Sequence, residues 1–428
     1  MYFSRIVPIF VALLVPGIPA QPDARAGDHQ LVLVGGKGNT CKEDPGCFNR
    51  LHPDIPAAAR AAPGQTILFR TRDAADALGV VPAQTYAKPA SLDFDIGRVH
   101  PLTGPVYIDG ARAGDVLAVT IKNIDPGQYA WTLAMPTGFA GDLIQGPRLV
   151  IWRLDRNHAV TDGIPGVKVP NSSFPGVITT LPGPGQLEQM LAREQALEKA
   201  GGTVRLPDPH GAVPADLCGP GAAEKDRCLR TTPPREHGGN MDIRYLQAGV
   251  TVYLPCYIAG CGLAIGDLHY AQGDGEVSGT AIEMSADVWV ETRVLQDGPD
   301  LRHGPHYAGP ASLLDIPSRA FYAVTGLPLK PAGFVPPGSA WLQSPKIAGL
   351  QNLSGDIRLA TRNALEAMID YITAGYGYDR QQAYIIASIA VDLHITQLVD
   401  MPNVGVTAIL PLDIFTAGHP ERPEQGKK

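Results

Sequence analysis

The sequence predicts a chain made mainly of β-strands and turns, with few helices and one concentrated polar segment. Three observations carry this expectation. The 428 residues hold 48 glycines and 40 prolines against only 10 phenylalanines, which favours turns and short strands. Period-two alternation recurs at Gln65–Arg70, Asp115–Ile124 and Val288–Leu295. Helical spacing is confined to one stretch near residue 190 and to the C-terminal region.

The length allows two or three lobes. With 44% hydrophobic and 18% charged residues, the composition is that of a soluble globular chain. The net charge of −7 is spread without long runs of either sign, which excludes the concentrated basic surface that a nucleic acid requires.

Residues 1–26 read as a secretory signal. Arg5 precedes the apolar run Ile6 to Val15, Pro16-Gly17 breaks it, and small residues suited to cleavage follow at Ala20 and Ala26. The run is too short to cross a bilayer about 30 Å thick, so no stable membrane insertion is expected after cleavage. The six cysteines fall as three close neighbours, Cys41/Cys47, Cys218/Cys228 and Cys256/Cys261. None has Cys-x-x-Cys spacing. The first two pairs lie in polar, turn-rich sequence and read as local disulfides of a periplasmic or secreted protein. Cys256 and Cys261 lie in apolar sequence and are either bridged or buried as thiols.

The remaining elements follow in order. Residues 27–202 form an N-terminal, mainly β region that opens with a largely irregular stretch to about residue 60. In Asp115–Ile124, Leu117, Val119 and Ile121 alternate with Ala118, Thr120 and Lys122. A helix is expected over Pro184–Gly201, with Leu187, Met190, Leu191, Glu194 and Leu197 on one face and Gly201-Gly202 as its stop. Residues 203–236 show no periodicity and read as an insertion or lid pinned by Cys218 and Cys228. Residues 237–353 form a β core, with strands at Val250–Leu254, Cys256–Gly260 and Val288–Leu295. In residues 354–428 a helical pair precedes a closing strand. One helix carries Leu365, Met368, Ile369 and Ile372. The second is capped by Asp379 with Gln382 and carries Ile386, Ile389, Ala390 and Leu393.

The chemistry is concentrated between Glu236 and Glu276, where five acidic residues and two histidines stand among eight glycines. On an extended backbone, residues two apart share a face, so Asn240 can converge with Asp242 and Asp267 with His269. One nitrogen with two carboxylates suits a divalent metal such as zinc, with Asp242, Asp267 and His269 as ligands. The bland alternative is that Asp-x-His is a chance pattern and Gly273-Asp274-Gly275 a tight turn. A second, all-oxygen site for calcium could use Asp274 or backbone carbonyls. Glu276 is the expected proton-transfer residue, with Glu283 as its rival; His237 and Asn240 would orient substrate or complete a second metal. A serine nucleophile is harder to defend, because no Gly-x-Ser-x-Gly is present. Cys256 or Cys261 as nucleophile conflicts with an oxidising compartment.

At these residues the sequence resembles the acetamidase/formamidase family. The blocks that carry the resemblance are Arg98 to Tyr107, Phe174 to Ile178, His237-Gly238-Gly239-Asn240-Met241-Asp242, Gly266-Asp267-Leu268-His269, Gly273-Asp274-Gly275-Glu276 and Asp400-Met401-Pro402-Asn403. The resemblance implies an α+β fold with a β-sandwich core, metal-dependent hydrolysis of small linear amides with release of ammonia, and homo-oligomers. Members that open small lactams widen the substrate class. A non-catalytic periplasmic binding protein on the same scaffold would lack a ligand or Glu276, and all are present. Two departures stand out: the signal-like start with its six cysteines, and the different segment at 203–232.

Overall fold

The computed structural model describes residues 31–77, 94–134, 147–162, 168–272, 276, 279–313, 320–335, 344–377 and 392–412. The signal-like segment 1–26, Asp274 and residues 379–390, where the second C-terminal helix is expected, lie outside the described residues.

The main elements in chain order are β1 (Val32–Gly35), β2 (Thr66–Arg70), β3 (Leu102–Ile108), β4 (Val116–Ala134), β5 (Arg148–Leu154), β6 (Phe174–Thr179), α1 (Pro184–Lys199), β7 (Gly238–Asn240), β8 (Thr251–Pro255), β9 (Leu263–His269), β10 (Glu283–Leu295), β11 (His306–Gly309), β12 (Phe321–Gly326), α2 (Ile357–Tyr376), β13 (Asp392–Gln397) and β14 (Gly405–Pro411). The class is mixed β with a few helices, as expected. The expected two-sheet sandwich is not resolved by the pairing: among the described residues eighteen strands join in one hydrogen-bonded network, beside a separate two-stranded ribbon. The long strands explain this. β10 pairs with both β2 and β4, and its register against β4 shifts between Met284 and Ala286 and again between Trp289 and Val290. Such bulges bend a strand and increase its twist, so one sheet can coil around its own core.

The alternation expected in β10 is realised. Val288, Val290 and Thr292 are buried, while Trp289 and Glu291 are half-buried and Arg293 is exposed. The expected strand Cys256–Gly260 is instead a turn. Gly260, Cys261 and Gly262 all take positive φ, at 77°, 58° and 71°, and this left-handed run reverses the chain where the Cys256–Cys261 disulfide closes it. The other two expected pairs, Cys41–Cys47 and Cys218–Cys228, are also bridged.

Both described long helices form where the periodicity placed them. In α1, Leu187, Met190 and Leu191 pack with Phe48, Leu51, Val177 and Ala264. Glu194, on the same face, is buried because it pairs with Arg235 (Nε to Oε1 2.7 Å, Nη2 to Oε2 3.1 Å), a charge that must be matched to be buried at all. In α2, Asp356 caps the N-terminus by accepting from the Leu359 N–H at 3.0 Å, and Gly377 ends the helix at φ 71°. Met368, Ile369 and Ile372 then bury against β12 and β14. Leu393, expected on a second helix, lies instead in β13, paired with Ala408 of β14. No helix among the described residues is long and apolar enough to cross a membrane.

The 203–236 segment is ordered by Arg50. Its buried guanidinium donates to the carbonyls of Asp208, His210 and Gly97, and Leu229–Arg230 pairs with Arg50–Leu51. These bonds hold the segment against Arg50–Leu51, and Thr231 Oγ1 accepts from the His100 N–H at 2.6 Å.

Candidate metal centre

Strand order brings the two polar clusters together. β6 lies between β7 and β9: Val177 faces both Asn240 and Gly266, and Phe174 faces His269. Asp242, just beyond β7, and Asp267, in β9, therefore flank Gly176 of β6. A Cβ at Gly176 would lie 2.6 Å from Asp267 Oδ2 and 2.7 Å from Asp242 Oδ1, so only glycine leaves both carboxylates their place. Three candidate residues carry positive φ without being glycine: Asp242 (50°), Asp267 (54°) and Glu276 (43°). Such conformations cost of order 1–3 kcal/mol each and gather at functional sites.

The next strand completes the set. His269 faces Glu283 across the β9–β10 pair. Asp242, His269 and Glu276 offer ligand atoms within 4.8 Å of one another, as do Asp267, His269 and Glu283, so His269 is common to two carboxylate pairs. Its Nε2 lies 3.3 Å from Glu283 Oε2, 3.5 Å from Asp267 Oδ2 and 3.9 Å from Glu276 Oε1. All five residues are buried. This is a candidate site for a divalent metal.

The other imidazole nitrogen fixes the tautomer. Gln272 Nε2 donates to the Asp242 carbonyl at 3.0 Å, which leaves Gln272 Oε1 facing His269 Nδ1 at 2.8 Å. An amide oxygen can only accept, so Nδ1 carries a proton in either charge state and Nε2 is the nitrogen left facing the carboxylates, available to a metal once it gives up its own proton. Glu283 Oε1 is likewise held by the Ala281 N–H at 2.7 Å, turning Oε2 inward. Among the described residues, both oxygens of buried Asp242 lack a hydrogen-bond partner, and His269 Nε2 and Glu283 Oε2 face only each other and the neighbouring carboxylates. Buried acceptors in this arrangement call for a cation.

The charge balance says the same. Burial, reinforced by Glu276 and Asp400, pushes the Asp242 carboxyl well above its ordinary range. Burial likewise raises Glu276 strongly and Glu283 and Asp400 less so, each against the pull of His269. Asp267 is the exception: burial would raise it, but His100 and His269 outweigh that and lower it to about 2. His269 is raised in turn; burial opposes this, and the Glu283 and Asp267 carboxylates override it.

A cavity of about 330 Å³ opens onto the centre, with Asn240, Asp267, Glu276, Glu283, Asp400 and His100 among its walls. Asn240 donates to Asp400 Oδ2 at 2.6 Å, and its own Oδ1 has no described partner. His237 stands apart. Its Nδ1 meets Thr179 Oγ1 at 2.7 Å, and burial with the nearby Arg235 charge depresses its pKa to about 3. It belongs to neither convergent set and does not line the cavity. Sequence reasoning did not single out His100, whose Nε2 is 3.8 Å from Asp267 Oδ1, or Asp400. Both sit in blocks that carry the family resemblance, and that was their only signal.

Comparison with known proteins agrees with this geometry. The model of the Acetamidase/Formamidase family matches residues 36–417. The chain is 29% identical over 394 residues to a formamidase of Methylophilus methylotrophus, covering 87% of this chain and 90% of that one. It is 31% identical over 369 residues to an acetamidase of Mycolicibacterium smegmatis, covering 79% and 84%. Among solved structures, a gamma lactamase from Delftia acidovorans superposes with a TM-score of 0.61 at 28% identity, over 90% of this chain and 94% of that one. A family match that runs from residue 36 to residue 417, through nearly the whole described chain, leaves one assignment: the chain belongs to the acetamidase/formamidase family.

Proposed function

We propose that this protein is a metal-dependent amidohydrolase that cleaves the carbon–nitrogen bond of small non-peptide amides, of the formamide and acetamide kind, and releases ammonia. The observation that carries the reading is the convergence of His269 with Asp242, Asp267, Glu276 and Glu283, with buried acceptors left unmatched, at one end of a cavity. His269 Nε2, Asp242, Asp267 and Glu283 are the donors that would hold the metal, and nitrogen with carboxylates favours zinc. When bound, a divalent ion polarises the amide carbonyl and lowers the pKa of water.

The chain's own residues do the rest. Glu276 takes the proton of the attacking water as its oxygen bonds to the carbonyl carbon. It then returns that proton to the nitrogen as the carbon–nitrogen bond breaks, giving a carboxylic acid and ammonia, between which one proton passes to leave carboxylate and ammonium near neutral pH. Burial raises its pKa above the ordinary carboxyl value, the direction that favours holding the proton until the nitrogen takes it. Asn240, tied to Asp400, orients the amide at the cavity wall, and His237 supports its strand through Thr179. Gln272 keeps His269 Nε2 aimed inward. The test is ammonia release from formamide, acetamide, propionamide and a γ-lactam, with and without chelator. Turnover that survives complete metal removal would sink the mechanism.

The charge balance yields a second test. In the metal-free protein the carboxyls of Asp242, Glu276, Glu283 and Asp400 hold protons more tightly folded than unfolded. Their contribution to stability is therefore complete below the ordinary values of 3.8 and 4.5 and is lost as pH rises through the raised ones. Asp267 acts the other way, and only below its ordinary range. Metal binding displaces those protons, so affinity rises with pH. The gap in Tm between metal-loaded and metal-free protein is expected to widen from pH 5 to pH 8. A constant gap would refute the charge assignment.

We further propose that the protein is exported, its signal cleaved near Ala20 or Ala26, and that it assembles as a homo-oligomer. Three disulfides with no free cysteine among the described residues support an oxidising compartment. Intact mass of the exported protein, before and after reduction and alkylation, is expected to show a shortened N-terminus and six cysteines alkylated only after reduction. A full-length chain with free thiols would overturn the export reading, and light scattering reads the assembly.

A further inference from the structure

The cavity is larger and more apolar than acetamide, with its single methyl group, requires. At about 330 Å³ it reaches the range of roughly 300–1,000 Å³ in which pockets bury ligands of drug size. One side is the donor set described above. The rest of the wall includes Phe94, Ile96, Val99, Trp131, Val399 and Met401. The aromatic part is built rather than incidental. Trp131 is buried, its indole N–H donates to Asp73 Oδ1 at 3.0 Å, and Phe94 meets it edge to face at 6.3 Å between ring centres. Val99 is the neighbour of His100, while Val399 and Met401 flank Asp400, so apolar surface begins where the acyl group of a bound amide would leave the donor set.

We infer that the preferred substrates are neutral primary amides with an apolar acyl group larger than acetyl, of the size of a short alkyl chain or an arylacetyl group. This rests on the amidase reading and sharpens it. The wall binds the acyl portion away from the reacting carbon, and binding energy gained there is available to the transition state. Arg205, from the 203–236 segment, also lines the cavity, but its side chain is exposed to water. A carboxylate on the substrate would share the cavity with the carboxyl groups of Asp267, Glu276, Glu283 and Asp400, so a neutral acyl group is the better match.

The experiment is a kcat/KM series on zinc-loaded protein with acetamide, propionamide, butyramide, phenylacetamide and the anionic amide succinamate. The expected result is a rise of up to about fourfold per added methylene, with phenylacetamide more than about tenfold above acetamide and succinamate below butyramide. Phenylacetate should inhibit more tightly than acetate. Ile96→Trp fills the wall at a residue whose side chain is half-buried and whose carbonyl accepts from Arg230. It should lower the ratio of kcat/KM for phenylacetamide to that for acetamide by about tenfold. A steady fall from acetamide upward, succinamate ahead of butyramide, or an equal loss on all amides in I96W would each overturn the inference while leaving the amidase reading intact. Absence of turnover on every amide would overturn both.

Discussion

Replacing Glu276 with glutamine is expected to lower kcat by about a thousandfold, within the roughly 10²–10⁴ that a positioned acid–base group supplies. KM, fold and metal content should change little. Glutamine keeps the size and position of the side chain but can neither take nor return a proton. His269, Asp242, Asp267 and Glu283 remain to hold the metal. The companion variant Glu283→Gln separates the two glutamates. Glu283 is held rigidly by the Ala281 N–H with its free oxygen 3.3 Å from His269 Nε2, a donor's geometry, so its loss should appear first in metal affinity. Steady-state kinetics with elemental analysis decide the matter. Wild-type kcat in E276Q on every substrate turned over would end its assignment, and E283Q with full metal but no turnover would exchange the two roles.

His269→Ala should remove the metal itself. His269 is common to both convergent sets and supplies their only nitrogen. Metal content, expected at about one transition metal per chain in the wild type, should drop below about a tenth, with loss of all metal-dependent turnover. Gln272→Leu is the graded control. It leaves every donor in place but removes the acceptor that fixes the Nδ1 proton, and loss of such a partner weakens metal binding by about 10–100-fold. Chelator competition distinguishes the two variants without an activity assay. Wild-type metal content in H269A would place the metal elsewhere.

Much of the fold was legible locally. Period-two runs marked β2, β4 and β10, an apolar run marked β8, and helical spacing marked α1 and α2, because each element buries apolar side chains against the core and the sequence repeats accordingly. The failures have local causes of their own. Cys256–Gly260 is apolar like a strand, but three successive positive φ values turn it. Leu393 fits a helical repeat and also an edge strand, and pairing with β14 decided between them. Glu194 read as one position of a helix face, and only Arg235, 41 residues away, makes its burial tolerable.

The sequence alone determined the donor inventory: Asn240, Asp242, Asp267, His269 and Glu276 in one segment rich in glycine, in blocks that name the family. Which donors meet, and which atoms face inward, was decided by tertiary structure. His269 and Glu283 converge through the register of β9 against β10, and Asp242 and Asp267 through the placement of β6 between their strands. Asp400 and His100 arrive from opposite ends of the chain. His237, equally polar and equally near in sequence, is turned toward Thr179 instead. Spacing along a strand tells which side chains share a face only while the backbone stays extended. At Asp242, Asp267 and Glu276 it does not, and those positive φ angles, held by the surrounding sheet, aim the carboxylates at one point.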